Sequence, residues 1–428
     1  MLGSLILLWI CVCLLFLHLK NQRPKNFPPG PTPLPIFGTI FSLNLQNPLK
    51  DLERCYGNVY SLFIGSTPAV VINGFHATKE ALVTKAADFS GRPHYTLISD
   101  FTKSKGLIMA DYGPGWRARR RFSLLTLRNF GMGKQFMEDR ILGETHYIVE
   151  QLEKSAGNPL CPESIFHNAA ANIICQVVFG RRNDDEFIKL MIHPVTEMSN
   201  LITGPWAVLY DSAPMIRHLP LPFMRVFKYY ENLVKDLINE HRKTRVPGEP
   251  QDFIDCYLDE LDKKGDFDPS FSEEEMIVCI LDLHFAGTDT TSNTLLAALL
   301  YLMNHPHIQE CCQQEIDQVL DGKDQASFED RHNMPYMQAV IHETQRMANT
   351  VPLSGPHCTT KDTELLGYSI PKGTLVIPNL TSVLSEEGQW KFPHEFNPEN
   401  FLNDQGEFVK PEAFLPFSAG KRGKDKLL

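Results

Sequence analysis

Helical periodicity constrains the fold of this chain more than any other feature of its sequence. Nearly all of residues 115–347 carry apolar side chains at helical spacing, in segments separated by Pro and Gly. The longest segment begins at Ser272, which forms a capping-box sequence with Glu275. It continues to about Asn304, and Pro306 is expected to stop it. This pattern predicts a mostly helical domain.

A small β part accompanies the helices. Residues 59–64 and 69–72 form two β-rich runs on either side of a Gly-Ser-Thr-Pro turn at 65–68, a pattern that predicts a hairpin. Two later runs, 364–370 and 374–377, predict further strands. The sequence therefore predicts one mainly α domain with a small β part.

Composition excludes several classes of protein. The 428 residues include 41 Lys and Arg against 51 Asp and Glu, a net charge of −10 that disfavours nucleic acid as the main partner. Hydrophobic residues at 43% and charged residues at 21% exclude a mainly disordered chain. The ten cysteines are too dilute for a disulfide scaffold and indicate buried thiols in a reducing compartment.

The first residues of the chain are strongly apolar. Residues 2–19 contain no charged side chain, and as a helix they would span about 27 Å, close to the thickness of a bilayer core. Lys20, Arg23 and Lys25 follow at once, which favours a cytosolic position for the rest of the chain. A cleaved signal peptide is the alternative, but a basic leading region and a small-residue cleavage site are both missing.

Three segments follow from these patterns. Residues 1–20 are predicted to form a membrane anchor, and residues 21–38 a basic, Pro-rich linker. The prolines between 27 and 35 fix φ and remove hydrogen-bond donors, which indicates a stiff spacer. Residues 39–428 form the predicted domain.

One motif interrupts the longest helical segment. Residues 286–291 read Ala-Gly-Thr-Asp-Thr-Thr, and Gly and Thr are poor residues for a helix interior. Thr hydroxyls can also bond back to the carbonyl four residues earlier and bend the helix. Two interpretations remain open: a harmless kink, or a widened groove in which a hydroxyl and a carboxylate manage water or a small bound molecule.

Three other motifs are weak when each is taken alone. Glu343 and Arg346 place opposite charges on one helical face, which is common on protein surfaces. Residues 116–121, Trp-Arg-Ala-Arg-Arg-Arg, form either a solvated basic face or an anion site built from indole and guanidinium donors. Residues 414–422 form a Pro- and Gly-rich loop ending in two cations. The dinucleotide-like match at 113–118 is discounted because it has Pro at its second position.

Together, the order and spacing of these motifs resemble cytochrome P450. The resemblance is to the microsomal, drug- and fatty-acid-oxidising branch (family two), with its J subfamily as one candidate, and it covers the chain from the anchor to Arg422. Residues 286–291 are similar to the family's oxygen-activation motif, and Glu343 with Arg346 to its K-helix pair. Residues 398–401 resemble the meander motif, with Asn400 where Arg or His is also found.

The resemblance implies a b-type haem between the long helix and the loop at Phe417, with its iron held by a cysteine thiolate. The cofactor-binding positions that it implies are Trp116, Arg120, Ala286, His357 and Arg422. The first two and the last two of these match positions that bind the haem propionates.

The resemblance also implies roles in catalysis. Thr290 and Asp289 would deliver protons to bound oxygen, and Glu343 with Arg346 would serve the structure. The implied substrate pocket contains Phe285, Ala286, Val351 and Gly355, with residues 92–105 as its roof. Expected substrates are fatty acids or lipophilic xenobiotics, oxidised by hydroxylation or epoxidation.

Partners and location follow from the same resemblance. Electrons would come from NADPH through cytochrome P450 reductase, with cytochrome b5 as a second partner. The docking surface would be the basic face at 117–128. The expected location is the endoplasmic reticulum membrane, with the domain facing the cytosol.

The sequence departs from the family at the residue that should hold the iron. Lys424 stands where the signature has cysteine, and every cysteine of the chain lies at or before Cys358. A lysine ammonium has no lone pair to offer at neutral pH. The family's L helix and final β hairpin are also expected but missing. Two alternatives therefore stand: a haem monooxygenase, or a catalytically inactive truncated isoform or incomplete gene model.

Overall fold

The computed structural model describes residues 23–35, 37–42, 48–132, 135–180, 185–219, 221, 224–265 and 268–422. The predicted anchor at 1–20 and Lys424 lie outside these residues. Within the described ranges, no helix is both long enough and apolar enough to cross a membrane.

The described part of the chain is mainly helical, as predicted. Its helices are α1 (Pro48–Tyr56), α2 (Phe75–Lys79), α3 (Leu97–Thr102), α4 (Pro114–Asn129), α5 (Gln135–Ser155), α6 (Pro162–Val178), α7 (Asp185–Thr203), α8 (Pro205–Ser212), α9 (Met224–Thr244), α10 (Phe253–Lys264), α11 (Glu273–Asn304), α12 (Pro306–Leu320), α13 (Pro335–Ala348) and α14 (Leu380–Leu384).

The longest helix, α11, runs through the core. The Ser272 hydroxyl accepts the backbone N–H of Glu275 at 3.2 Å, so the predicted cap forms. The Glu275 side chain instead makes tertiary contacts, accepting the Gly106 N–H at 2.8 Å and pairing with Arg119 at 3.2 Å. The predicted stop is also confirmed, since Pro306 opens the next helix, where its missing N–H has no cost.

The β part is a four-stranded sheet and a separate ribbon. Its strands are β1 (Val59–Ile64), β2 (Thr67–Ile72), β3 (His357–Cys358), β4 (Thr363–Leu365), β5 (Tyr368–Ile370) and β6 (Leu375–Pro378). The sheet order is β1-β2-β6-β3, and β4 pairs with β5. The predicted hairpin is confirmed, with Val59 opposite Ile72. The single run predicted at 364–370 is two strands, because Leu366 and Gly367 both adopt positive φ and form a turn.

Two apolar cores place the elements around the site. The larger core joins α6, α7, α9, α10 and α11, and the smaller one joins the sheet to α2. Beside the 106–110 loop, which is the segment just before α4, the middle of α11 no longer contributes residues to the larger core. The site described below lies where α11, this loop, α4 and strand β3 meet.

Candidate functional site

A largely buried cationic cluster joins four residues that the sequence analysis assigned to the cofactor. The Arg422 guanidinium carbon lies 4.7 Å from the centre of the Trp116 ring, and that of Arg120 lies 5.2 Å from it. His357 is buried nearby in β3. Arg92, which was predicted only as part of the pocket roof, is the fifth member. We call these five residues the arginine cluster.

Burial and mutual repulsion both act on the positive charges of the arginine cluster. Burial lowers the pKa of Arg92, and the charge of Arg422 lowers it further. Burial likewise lowers the pKa of Arg422 to about 10. Burial lowers the pKa of His357 to about 3, and the charges of Arg92 and Arg422 contribute to this lowering, so the imidazole is neutral. The nearby carboxylate of Asp111 is half exposed and shared with His94 at 3.0 Å. Like charges buried together favour an anionic partner.

The donors of the cluster are directed at backbone carbonyls. Arg92 Nε donates to the Ile108 carbonyl at 2.7 Å, and Arg422 Nε donates to that of Ser90 at 3.0 Å. The Trp116 indole N–H donates to the Leu107 carbonyl at 2.9 Å. The indole, predicted as a donor to an anion, is thus already engaged, and the guanidinium groups carry the charge an anion would need.

The Thr-rich motif of α11 turns its hydroxyls onto its own backbone. Thr290 donates to the Ala286 carbonyl at 2.7 Å, and Thr294 donates to the Thr290 carbonyl at 2.8 Å. These are the back-bonds to the fourth preceding carbonyl that the sequence indicated. The hydroxyl of Thr288 is fully buried and makes no hydrogen bond among the described residues.

Asp289 points away from Thr290, toward two neighbouring helices. Its Oδ2 accepts the hydroxyl of Ser199 in α7 at 3.1 Å, and its Oδ1 lies 3.8 Å from Nε2 of His167 in α6. His167 Nδ1 lies 3.1 Å from the Glu163 carbonyl, which can only accept a hydrogen bond. Sequence analysis did not find His167 or Ser199, because neither shows a local pattern and both reach the site only through helix packing.

Asp289 should make the stability of the chain depend on pH. Its carboxylate raises the pKa of His167 above 6.5, so the pair stabilises the fold below about pH 6.5 and loses its effect as pH rises through the raised value. We expect Asp289→Asn to cost about 1 kcal/mol more at pH 6 than at pH 9. Urea unfolding at the two pH values measures this difference.

Glu329→Gln is the matched control for that experiment. Glu329 lies 3.7 Å from His332, and both side chains are largely exposed. Solvent screens such a pair, so its removal should have nearly the same small effect at both pH values. Equal costs of Asp289→Asn at pH 6 and pH 9 would contradict the assignment of charge to His167.

An apolar cavity of about 280 Å³ adjoins the arginine cluster. Its lining includes Leu107, Ile108, Ile174, Asp282, Ala286, Gly287 and Thr291. Of the four predicted pocket residues, Ala286 is the one in this lining. Phe285 packs partly buried against the larger core. Val351 and Gly355 lie in the segment between α13 and β3, and a Cβ added at Gly355 would lie 3.4 Å from an Arg92 nitrogen.

The Glu343 and Arg346 pair is fully buried and does not lie on the surface. Arg346 Nε and one terminal nitrogen donate to the two Glu343 carboxylate oxygens at 2.7 and 2.8 Å. Asn400 of the 398–401 segment donates to Glu343 at 3.2 Å, so its amide is a third member of this buried cluster. Trp390 lies 5.0 Å from the Arg346 guanidinium carbon. The cluster ties α13 to the segment at 384–400.

The arginine cluster contains guanidinium groups, which pair well with carboxylates, and it shares the 106–110 loop with an apolar cavity. Cations beside an apolar cavity suit a large amphiphilic cofactor with carboxylate groups, such as haem. The sequence profile of the family described as Cytochrome P450 matches residues 28–423. The chain therefore belongs to the cytochrome P450 family.

Relatives of known name support the same assignment within family two. Cytochrome P450 2J2 of Homo sapiens is 42% identical over 414 residues, covering 94% of this chain and 82% of that protein. Cytochrome P450 2J5 of Mus musculus is 40% identical, covering 98% of this chain and 85% of that protein. Cytochrome P450 2F2 of Mus musculus is 41% identical, covering 93% and 83%. The predicted membership of the cytochrome P450 family, among the family-two proteins, is confirmed.

The fit of a haem to the described residues is good at its carboxylate end. The arginine cluster supplies buried guanidinium groups, which pair well with carboxylates. The position expected to hold the iron does not show the same fit. It is a lysine, Lys424, and it lies outside the described residues. Cys358 adjoins the cluster in β3, but burial raises the pKa of its thiol to about 11, which keeps it protonated at neutral pH.

Proposed function

We propose that this site serves a haem monooxygenase that oxidises lipophilic molecules, fatty acids or xenobiotics, by hydroxylation or epoxidation. The observation that carries the proposal is the sharing of the 106–110 loop by the arginine cluster and the apolar cavity. When bound, a haem would supply the chemistry that activates oxygen for insertion into an unreactive bond.

The residues of the chain divide the remaining work. Arg92 and Arg422 hold carboxylates, and the walls formed by Leu107, Ile108 and Ala286 exclude water and receive an apolar chain. The side chain of Thr290 contributes a hydroxyl group to the groove along α11. Asp289, with His167 beside it, holds and moves a proton from the α6 and α7 side.

A basic concavity supports an acidic redox partner. It measures about 460 Å³ and lies on the outer face of α4. The cations in its lining are Arg117, Arg120, Arg121, Arg128 and Lys421. Such a surface attracts an acidic protein and speeds its association. We assign it to NADPH–cytochrome P450 reductase, with cytochrome b5 as a second partner.

Exposed apolar side chains support a position at the endoplasmic reticulum membrane. Two segments, 34–41 and 206–219, are rich in such side chains, among them Phe41, Trp206, Met215 and Leu219. Both segments meet the β1–β2 turn: a Cβ at Gly38 would collide with the Gly65 carbonyl, and one at Gly65 with that of Ser212. The exposed apolar side chains of the two segments thus form one apolar face of the domain. The proposed anchor at 1–20 and linker at 21–38 would hold this face to the bilayer.

Lys424 favours a second candidate function. A chain with lysine at the ligand position would hold haem through the arginine cluster without a thiolate on the iron. Such a protein would be a catalytically inactive member of the family that still offers its basic face to the reductase.

A carbon monoxide difference spectrum of the purified chain, loaded with haemin in detergent and reduced, distinguishes these candidates. We expect the unmodified chain to bind haemin but to lack the Soret band of a thiolate complex, and Lys424→Cys to gain that band. Lys421→Cys, three residues earlier in the sequence, is the matched control and should gain nothing. A thiolate band from the unmodified chain would exclude the inactive candidate, and failure of all three proteins to bind haemin would overturn the haem site.

A further inference from the structure

A second cluster of titratable side chains lies where α9 ends and α10 begins, and it shares no residue with the arginine cluster or the apolar cavity. Its members are His241, in the last turn of α9, Asp252, which caps α10, and Asp255, in the first turn of α10. Each offers one ligand atom, and these atoms all lie within 4.8 Å of one another. The three residues are between 3% and 7% exposed. We call them the histidine–aspartate cluster.

Backbone groups fix the orientation of all three side chains. His241 Nδ1 lies 2.8 Å from the Leu237 carbonyl, which can only accept a hydrogen bond, so Nδ1 carries a proton. Asp252 Oδ1 accepts the backbone N–H of Asp255 at 2.9 Å. Asp255 Oδ2 accepts the backbone N–H of Gln251 at 3.1 Å. Each side chain thus uses one polar atom to bind the backbone and keeps a second atom for another partner.

The second atoms do not satisfy one another. His241 Nε2 lies 2.8 Å from Asp252 Oδ2, and Asp255 takes no part in that contact. Asp255 Oδ1 is buried, and none of the described residues donates a hydrogen bond to it. An ionised oxygen that is buried without a donor or a cation is costly. This unpartnered oxygen distinguishes the cluster from an ordinary ion pair between two helices.

The charges around the cluster also favour a cation. Arg245 is close enough to act on the Asp255 carboxylate, but its guanidinium binds Asp259 at 2.7 Å and also binds Asp262. The charge of this arginine is therefore already shared by two other acids. A single imidazole cannot neutralise the two carboxylates of the histidine–aspartate cluster, whereas a doubly charged cation can.

We propose that His241, Asp252 and Asp255 form a binding site for one divalent transition-metal ion, with zinc as the best fit, and that this ion fastens the end of α9 to the start of α10. One imidazole nitrogen and two carboxylate oxygens suit a tetrahedral zinc with water as its fourth ligand. Magnesium and calcium prefer oxygen ligands alone. The site is independent of haem and of any substrate.

The geometry of the cluster fits such an ion. Ligands about 2.1 Å from a tetrahedral zinc lie about 3.4 Å from one another, so side-chain shifts of up to about 1.5 Å would close the site. A hydrogen bond from the second imidazole nitrogen to a backbone carbonyl is a common support of metal-binding histidines, and His241 has one. The backbone N–H groups that bind the two carboxylates support the other two ligands in the same way.

Zinc titration of the full chain tests the site without haem. The chain is purified in detergent with a phosphine reductant, freed of metal with a chelator, and titrated with zinc alone in competition with a chromogenic chelator. We expect Asp255→Asn to weaken the tightest zinc binding at least about tenfold, because a neutral amide oxygen is a poorer ligand than a carboxylate. Asparagine keeps an oxygen that can accept the Gln251 N–H, so the variant should still fold.

Asp262→Asn is the matched control on the same helix. It removes the same charge from α10, but the Asp262 side chain is 60% exposed and binds Arg245. Its zinc affinity should stay within about twofold of that of the unmodified chain, because solvent screens a surface charge. Equal weakening by Asp262→Asn and Asp255→Asn, or weakening by neither, would overturn the proposal.

The type of ligand separates this site from the cysteines of the chain. X-ray absorption at the zinc edge should show nitrogen and oxygen neighbours at about 2.0–2.2 Å, whereas thiolate sulfur would lie at about 2.3 Å. A sulfur neighbour at one bound equivalent of zinc would place the metal on cysteines and overturn the proposal.

Thermal unfolding tests whether the ion fastens the two helices. We expect one equivalent of zinc to raise the unfolding midpoint of the unmodified chain and of Asp262→Asn but not that of Asp255→Asn, since a ligand that binds the folded state stabilises it. Asp252→Asn is a second test variant, because asparagine remains a good helix cap while the charged ligand is lost. Zinc that raises the midpoints of all four proteins equally would be an adventitious ion only, and the cluster would not be its site.

Discussion

Replacing Arg346 with lysine is expected to lower the free energy of unfolding by about 3–5 kcal/mol, because lysine keeps the charge but leaves several buried acceptors without a donor. Arg346 is 2% exposed and Glu343 is fully buried. The measurement is urea unfolding followed by tryptophan fluorescence, which reports directly because Trp390 lies 5.0 Å from the Arg346 guanidinium carbon.

The size of this effect follows from the number of groups that depend on Arg346. Besides both oxygens of Glu343, the guanidinium donates to the carbonyl groups of Leu384 at 2.7 Å, Pro393 at 2.8 Å and Glu395 at 2.8 Å. A lysine ammonium has three donors and no planar fork, so it cannot satisfy these groups together. Each carbonyl left buried without a partner adds to the loss.

Arg242→Lys is the matched control for Arg346→Lys. Arg242 pairs with Glu273 at 2.6 Å, but both side chains are more than 40% exposed. Water replaces the lost contacts there, so the change should stay within about 0.5 kcal/mol. Similar losses in the two variants would show that the Glu343–Arg346–Asn400 cluster is not what ties α13 to the segment at 384–400.

Local signals in the sequence located the elements well. The cap at Ser272 and the proline at 306 act within one helical turn, and they predicted the two ends of α11. The β1–β2 hairpin was predicted for the same reason, since its turn and its alternating strands are adjacent in sequence. Leu366 was missed as a turn residue because a non-glycine residue at positive φ carries little sequence signal.

The site depends on contacts between distant segments, which periodicity cannot supply. Trp116, Arg120, His357 and Arg422 were assigned through family resemblance, and the structure places them in one cluster. Arg92 was missed as a member because a single arginine in an irregular segment has no pattern. Glu275 shows the opposite case: its spacing from Ser272 predicted a local contact, but its side chain binds the 106–110 loop, so a tertiary contact prevailed over a local one.

Removing charge from the arginine cluster should weaken haemin binding far more than it weakens the fold. We expect Arg92→Met to lower the affinity for haemin about tenfold, and Arg92→Met with Arg422→Met to lower it about a hundredfold. Each charge-assisted hydrogen bond to a carboxylate contributes about 1.5–3 kcal/mol, and 1.4 kcal/mol corresponds to a tenfold change in affinity. Titration of the ligand-free chain with haemin, followed by the quenching of tryptophan fluorescence, measures both values.

The stability of the ligand-free fold should change much less than the affinity for haemin, because Arg92 and Arg422 repel each other in the cluster. Arg92→Met loses hydrogen bonds to the carbonyl groups of Ile108 and Pro356. It also removes a charge whose pKa is lowered by burial and by Arg422, and methionine fills much of the same apolar space. These effects offset one another, so the free energy of unfolding should change by less than about 1.5 kcal/mol.

Arg117→Met separates the arginine cluster from positive charge in general. Arg117 lies on the same helix as Trp116 and Arg120 but is exposed, and it lines the basic concavity. Its substitution removes the same charge and should leave haemin affinity within about twofold, because solvent screens a surface cation. If Arg117→Met and Arg92→Met weaken haemin binding equally, net charge attracts the dicarboxylate, and the buried cluster is not its site. A selective loss in Arg92→Met would instead mean that the chain maintains two mutually repelling cations in its interior for the sake of an anionic ligand.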